Sequence, residues 1–160
     1  MAGENGYTSL NGFYLPKEKQ LVDNHTRVDH LVPHCESHEL YRGVIDDKAT
    51  AVFNGKVMVH RDAQKTNAFQ ANNNVLLSDD ATINSKPELE IYADDVKCSH
   101  GSTIGQLDEE AIFYLRARGL SEDSAIRLLL NAFAADVLEH VGIESFRQLV
   151  EEKIENGLKK

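Results

Sequence analysis

The 160-residue sequence predicts a mainly β protein followed by a small carboxy-terminal α-helical subdomain. Three observations carry that expectation. From Leu10 to about Ile104, β-branched and aromatic residues alternate with polar ones and no helical period appears, as in Phe13 and Leu15, Val57 and Val59, and Leu89 and Ile91. Within this stretch the chain echoes itself: ATAVFNGKVMVHRDA at 49–63 aligns without gaps on ATINSKPELEIYADD at 81–95, an offset of 32 positions. After Gly105 the texture turns helical within a few residues.

The echo bears on architecture. Asp46-Asp47 and Asp79-Asp80 stand just ahead of its two copies, and Leu10-Asn11-Gly12-Phe13 echoes Phe53-Asn54-Gly55-Lys56 at a different offset, 43. Approximate repeats of a strand-and-turn unit with variable spacing suggest a β-solenoid whose coils differ in loop length. An antiparallel sandwich built of similar hairpins satisfies the pattern equally well. Either way the strand-rich unit is expected over 1–104 and the helical one over 105–160.

In the helical part, Asp108 is placed to cap a first helix, with Glu109 and Glu110 in the first turn, where acidic groups favour the positive end of the helix dipole, and Gly119 beyond its end. Ser121 caps a second helix expected to run to about Val141, ahead of Gly142. A third, from about Glu144 to Asn156, carries Phe146, Leu149, Val150 and Ile154 on one face. The second helix is unusually apolar. Ile126, Leu129, Leu130, Phe133 and Val137 form one stripe, and Leu128, Ala132, Ala135 and Leu138 widen it past the usual core-facing arc. One face is expected to seal the end of the solenoid, since an open coil invites edge-to-edge association. The rest suits either a partner or neighbouring helices.

Composition removes several function classes. The formal charge is −9, from 17 basic and 26 acidic residues, with acidic excess both before and after Gln106. A phosphate-backbone binder needs a Lys and Arg patch to displace counterions, so no nucleic-acid partner is expected. Two cysteines, Cys35 and Cys98, cannot make a disulfide-stapled scaffold, and free thiols in a reducing cytosol are expected, which places the protein in the cytoplasm. No run approaches the roughly 18 apolar residues of a membrane span, and MAGENGYTSL lacks the charged-then-apolar order of a signal peptide.

The most specific segment is 94–120, DDVKCSHGSTIGQLDEEAIFYLRARGL, which joins a Cys-x-His pair through a glycine-punctuated turn to a helix start. Together with DNHTRVDHLVPH at 23–34, LYRGVIDDKATAVFNGKV, HRDAQKTNAFQ and LLSDDATINSKPELEIYADDVKC, it resembles the carboxy-terminal core of the SufB and SufD family of iron-sulfur cluster assembly scaffolds, the SufD branch more closely than the SufB branch. The resemblance runs from about Leu10 to about Val141. It implies a right-handed parallel β-helix, which decides between solenoid and sandwich. Because the family's chains are far longer, it also implies that this is a carboxy-terminal fragment with an artificial start. The implied function is a non-catalytic scaffold that pairs with SufB, or with a second copy in isolation. The SufC ATPase would dock on the helical tail, with Ile126, Leu129, Leu130, Phe133 and Val137 as the partner face. The implied cargo is a transient iron-sulfur cluster shared with SufB, toward which His100, and more weakly Cys98, would contribute.

Read on their own residues, these sites are less decided. Cys98 and His100, two apart on a strand, point to one face and can reach one ion shared with another subunit. Closed zinc sites want four N or S ligands and cluster sites several thiolates, so a structural Cys beside a hydrogen-bonded His is the commoner occupant of such a pair. His30, His34 and His38 would share one face of an extended chain, with Cys35 on the other. Pro33 excludes a metal-binding helix there, and exposed histidine ladders are more often solvated than ligating. The Asp pairs at 46–47, 79–80 and 94–95, with His100-Gly101, suggest a carbohydrate-active β-helix enzyme of polygalacturonase type, although Asp is also the ordinary turn former and an Arg-x-Lys clamp is absent. A purely structural dimerisation module is the third reading. A Gly-x-Ser-x-Gly elbow and a Walker lysine motif are both missing, so any ATP hydrolysis is expected from a partner.

Overall fold

A computed structural model describes residues 1–158, so the last two positions of the expected helical subdomain lie outside the described residues. Seven strands, β1 (Tyr7–Tyr14), β2 (Leu21–His30), β3 (Glu36–Ile45), β4 (Thr50–Val59), β5 (Asn67–Leu76), β6 (Thr82–Ile91) and β7 (Lys97–Gly105), precede three helices, α1 (Glu109–Ala117), α2 (Glu122–Leu138) and α3 (Glu144–Gly157). Successive strands do not pair. Odd strands form one sheet, β1-β3-β5-β7, even strands another, β2-β4-β6, and every ladder is parallel. A chain that steps back and forth between two parallel sheets is a β-solenoid, here of about three coils, with β7 opening the next. Hairpins of a sandwich would instead have paired β1 with β2.

The 32-position echo is one rung of this solenoid. Thr50 lies opposite Thr82 and the register holds through Val59 opposite Ile91. Other rungs are slightly shorter, as Tyr7 opposite Glu36 and Glu36 opposite Asn67 record. The echo at offset 43 is not a rung, because Leu10 lies in one sheet and Phe53 in the other. Its shared Asn-Gly has a local cause. A Cβ at Gly12 would fall 2.4 Å from the Tyr41 ring, and one at Gly55 would fall 2.4 Å from Gln70 Nε2. Both positions sit under a neighbouring side chain that leaves room for hydrogen alone.

All three Asp pairs occupy corners between strands. The corners stack as the strands do: Asn5, His34 and Lys65 take left-handed backbone at one corner, Glu18 and Asp47 at another, and the Glu18 N–H donates to Asp47 Oδ2 at 2.9 Å. His34 is therefore a turn residue. The expected histidine face does not form, because the chain bends at Pro33-His34, leaving His30 buried inside the coil and His38 on the outside.

Inside the coils, two apolar clusters occupy opposite corners, one around Val28, Val57, Val59 and Ala68, the other around Tyr14, Ile45, Ala49, Ala51 and Ala81. Between them the inner face of the odd sheet is polar. Glu39, Gln70, Asn72 and Asn74 are buried there. Asn72 Nδ2 donates to Tyr14 Oη at 2.9 Å, while its Oδ1 accepts from Asn74 at 2.8 Å and from Ser85 of the opposite sheet at 2.7 Å. Such a network is stable because its members satisfy one another away from water.

The helices start where expected. Asp108 accepts from the N–H groups of Glu110 and Ala111, Ser121 accepts from Ser124 N–H, and Gly119 follows α1 at φ 96°. Helix α2 stops at Leu138, ahead of the expected Val141, because the Val137 and Leu138 carbonyls are already taken by the tighter bonds from His140 and Val141. Its position corrects one expectation. Leu130, Ala134 and Leu138 pack on Val44, Phe13 and Val75, which point outward from the odd sheet, so the helices flank the solenoid side and leave the coil end at β6 and β7 open.

Candidate functional site at the open coil end

The site begins with the alternation of β7. Cys98 packs against the inner cluster of Val57 and Ala68, and Ser102 Oγ donates across the interior to Ser85 Oγ at 2.8 Å. Both therefore face inward, and His100 between them does too, since residues two apart on a strand share a face. No further coil covers them. His100 is exposed and Cys98 half-buried on a strand whose outer edge has no neighbour in the sheet. Burial pushes the Cys98 thiol above its ordinary value, partly offset by a hydrogen bond with the Ala68 backbone. Near neutrality Cys98 is a protonated thiol, and it becomes a good ligand only when a metal displaces the proton.

Among the described residues no group of three or more His, Cys, Asp and Glu side chains is placed to hold a metal ion. The coil end thus offers an imidazole and a thiol on one face. Two such donors fall short of the four ligands of a closed zinc site or the several thiolates of a cluster site.

Of the remaining candidates, His38 shares a surface groove with His100, and the aspartates lie apart. His38 is on the outer face of the odd sheet, bonded to Glu36 and stacked 5.2 Å from Phe69, in a groove of about 630 Å³ that His140 also lines. Asp79 lines a separate cavity of about 400 Å³ beneath α1 and α2, and Asp80 pairs with Lys48 at a corner. Asp79, Asp80 and His100 do not converge, so the acid and base pair required of a carbohydrate-active groove is not assembled from them.

The stripe on α2 is not a free face. Leu130 and Val137 are buried, and Ile126 and Phe133 pack against the cluster under the helix, with the Phe133 ring beneath Arg42. The solenoid and α3 together cover Ile126, Leu130 and Phe133, while Leu129 is half-buried and outside that cluster. Exposed apolar side chains lie elsewhere, at Phe113 and Tyr114 on α1, Leu128 on α2, and Phe146 and Leu149 on α3.

Residues 1–133 match the family model described as SUF system FeS cluster assembly, SufBD core domain. This chain belongs to that family. The SufBD core match extends through the solenoid, α1 and most of α2. Among curated relatives, the iron-sulfur cluster assembly protein SufD of Escherichia coli is 42% identical over 148 residues, which cover 92% of this chain and 35% of that protein. A SufBD family protein of Synechocystis is 46% identical over 129 residues, 81% of this chain and 28% of its own length. SufD of Plasmodium falciparum is 32% identical over 144 residues, 89% of this chain and 10% of its own. The chain thus spans about a third of the length of the first two. Nothing in the described residues is a helix long and apolar enough to cross a membrane.

Sequence reasoning missed the buried side chains behind this coil end. Glu39 and Gln70 stand on the rungs directly below His100 in the same inward column. Their signal was available only as a difference of 31 and then 30 positions, which acquires meaning once the rungs are known.

Proposed function

We propose that this chain is the scaffold part of an iron-sulfur cluster assembly protein of SufD type, and that its open coil end is where a nascent cluster is held between two chains. The observation that carries this reading is the display of His100 and Cys98 on one inward face of β7, uncovered by a further coil. The cluster is cargo here. His100 supplies an imidazole nitrogen, Cys98 a weaker sulfur, and a thiolate of SufB completes the set. The free edge of β7 offers backbone N–H and C=O groups to the partner, SufB or a second copy in isolation.

In this reading the chain performs no turnover of its own, and the SufC ATPase supplies hydrolysis in the cytosol. The packing of α2 moves the docking face. SufC meets the exposed side chains Phe113 and Tyr114 of α1 and Phe146 and Leu149 of α3, not the stripe already covered by the solenoid. The two units, 1–104 and 105–160, then divide the work between cluster and ATPase.

The test is reconstitution of this chain with SufB and SufC, ferrous iron and a sulfide source, reading iron and acid-labile sulfide in the isolated complex. His100→Ala is expected to keep the partners and lose most of the iron, and Cys98→Ser to lose less. Equal iron in wild type and His100→Ala would overturn the assignment.

A further inference from the structure

The inward column that ends at His100 contains a pair of buried polar side chains with an unfinished hydrogen-bond pattern. Register sets Leu10, Glu39, Gln70 and His100 side by side on β1, β3, β5 and β7. Glu39 is 4% exposed and Gln70 3%. Gln70 Nε2 donates to Glu39 Oε2 at 2.6 Å. A carboxylate oxygen accepts, so its presence decides which end of the amide faces it: the nitrogen, leaving Gln70 Oε1 to another partner. That oxygen, like Glu39 Oε1 one rung deeper, is buried without a donor among the described residues. Buried acceptors in native proteins are paired, and an exception calls for a missing partner. The adjacent side chain in the column is the exposed imidazole of His100, which carries an N–H in either neutral tautomer.

We propose that Glu39 and Gln70 are positioning residues for His100: Gln70 Oε1 accepts the imidazole N–H, fixes one tautomer, and leaves the other ring nitrogen free to face out of the coil end. Glu39 acts one rung deeper, by setting the orientation of the amide. The purpose of the relay rests on the reading of His100 as a ligand, while the hydrogen bond itself does not. Ligating histidines generally give their second N–H to a carboxylate or carbonyl oxygen, which orients the ring and raises its basicity. Here the oxygen belongs to an amide whose direction is dictated from inside the solenoid, out of reach of solvent. Gly55 makes room for it, because a Cβ there would meet Gln70 Nε2 at 2.4 Å.

The experiment is long-range proton–nitrogen NMR of the histidine-labelled, metal-free 160-residue chain. Wild type is expected to show His100 in a single tautomer with a slowly exchanging ring N–H. In Gln70→Leu the same ring reverts to the mixture of a free imidazole, and in Glu39→Gln, where the amide is released to flip, the bias weakens. A free-imidazole mixture in wild type, or an unchanged tautomer in folded Gln70→Leu, overturns the proposal. Should Gln70→Leu lose its circular dichroism, the near-isosteric Glu39→Gln decides, an unchanged tautomer again counting against the relay. Because no metal is added, this outcome is independent of the iron measurement on His100→Ala.

Discussion

Arg42 holds Phe133 in two ways at once: its guanidinium lies 4.7 Å above the ring and donates to the Phe133 carbonyl oxygen at 2.7 Å. It also pairs with Asp136, so one side chain from β3 grips a full turn of α2. The group is largely removed from solvent, where stacking on a ring and a charged hydrogen bond each contribute about 1–3 kcal/mol. Arg42→Ala is expected to cost about 2–4 kcal/mol in chemical denaturation, within the range of broken buried networks. Arg42→Lys keeps the charge but loses the planar stack and is expected to recover less than half of that. Equal stability of Arg42→Lys and wild type would reduce the contact to charge alone.

A second prediction concerns Gly43. It stands between Tyr14 on β1 and Asn74 on β5 in one inward column, and the Tyr14 hydroxyl crosses it to donate to Asn74 Oδ1 at 2.5 Å. A Cβ at Gly43 would fall 2.2 Å from the Tyr14 ring and 2.5 Å from that oxygen. Overpacking of this kind costs about 1–3 kcal/mol, and here it also breaks a buried hydrogen bond. Gly43→Ala should therefore lower the melting temperature more than Tyr14→Phe, which removes the hydroxyl without a clash. The reverse order would mean that the ring relocates freely inside the coil.

The helical surface gives a third. Phe113 is 74% and Phe146 53% exposed, whereas Leu130 is 2% exposed under α2. Phe113→Asp and Phe146→Asp are expected to leave the melting temperature within about 2 °C of wild type, since exposed substitutions usually stay near ±0.5 kcal/mol. Their capture of SufC is expected to fall at least tenfold. Leu130→Ala, by contrast, should cost about 2–5 kcal/mol with no specific effect on SufC in the fraction that remains folded. Undiminished SufC binding by both aspartate variants would remove α1 and α3 from the interface.

These contrasts mark what the sequence disclosed. The strand-rich texture, the solenoid rung between Thr50 and Thr82, the caps at Asp108 and Ser121 and the shared strand face of Cys98 and His100 were all legible, because each rests on local chemistry or on an offset visible in one chain. Strand β5 was not. Its inward residues are Ala68, Gln70, Asn72 and Asn74, while Phe69 faces out, which inverts the usual apolar-in rule. That inversion is supported by Tyr14 and Ser85, which bond Asn72, and by Glu39, which accepts from the Gln70 amide nitrogen, all from other strands. The fate of the α2 stripe was hidden for a related reason. A helix pattern says which face is apolar, whereas Val44, Phe13 and Val75, strand residues turned outward, determine what that face covers.

His30 yields the last prediction. It is fully buried at the end of β2, with Nε2 at 2.9 Å from Ser37 Oγ and Nδ1 unpartnered among the described residues. Burial, and next the nearby amino terminus, hold its pKa below the ordinary histidine value, with the Asp29 charge opposing. The folded state therefore binds fewer protons than the unfolded chain as pH falls through the ordinary histidine value. Stability rises with pH wherever the unfolded state binds more protons, so this group destabilises the fold progressively on going from about pH 7 to about pH 5.5. The melting temperature of wild type is expected to drop over that interval, and that of His30→Gln, which keeps a polar group near Ser37 but cannot be protonated there, to drop distinctly less. Parallel pH profiles for the two proteins would place the acid sensitivity on other groups and leave His30 as packing alone.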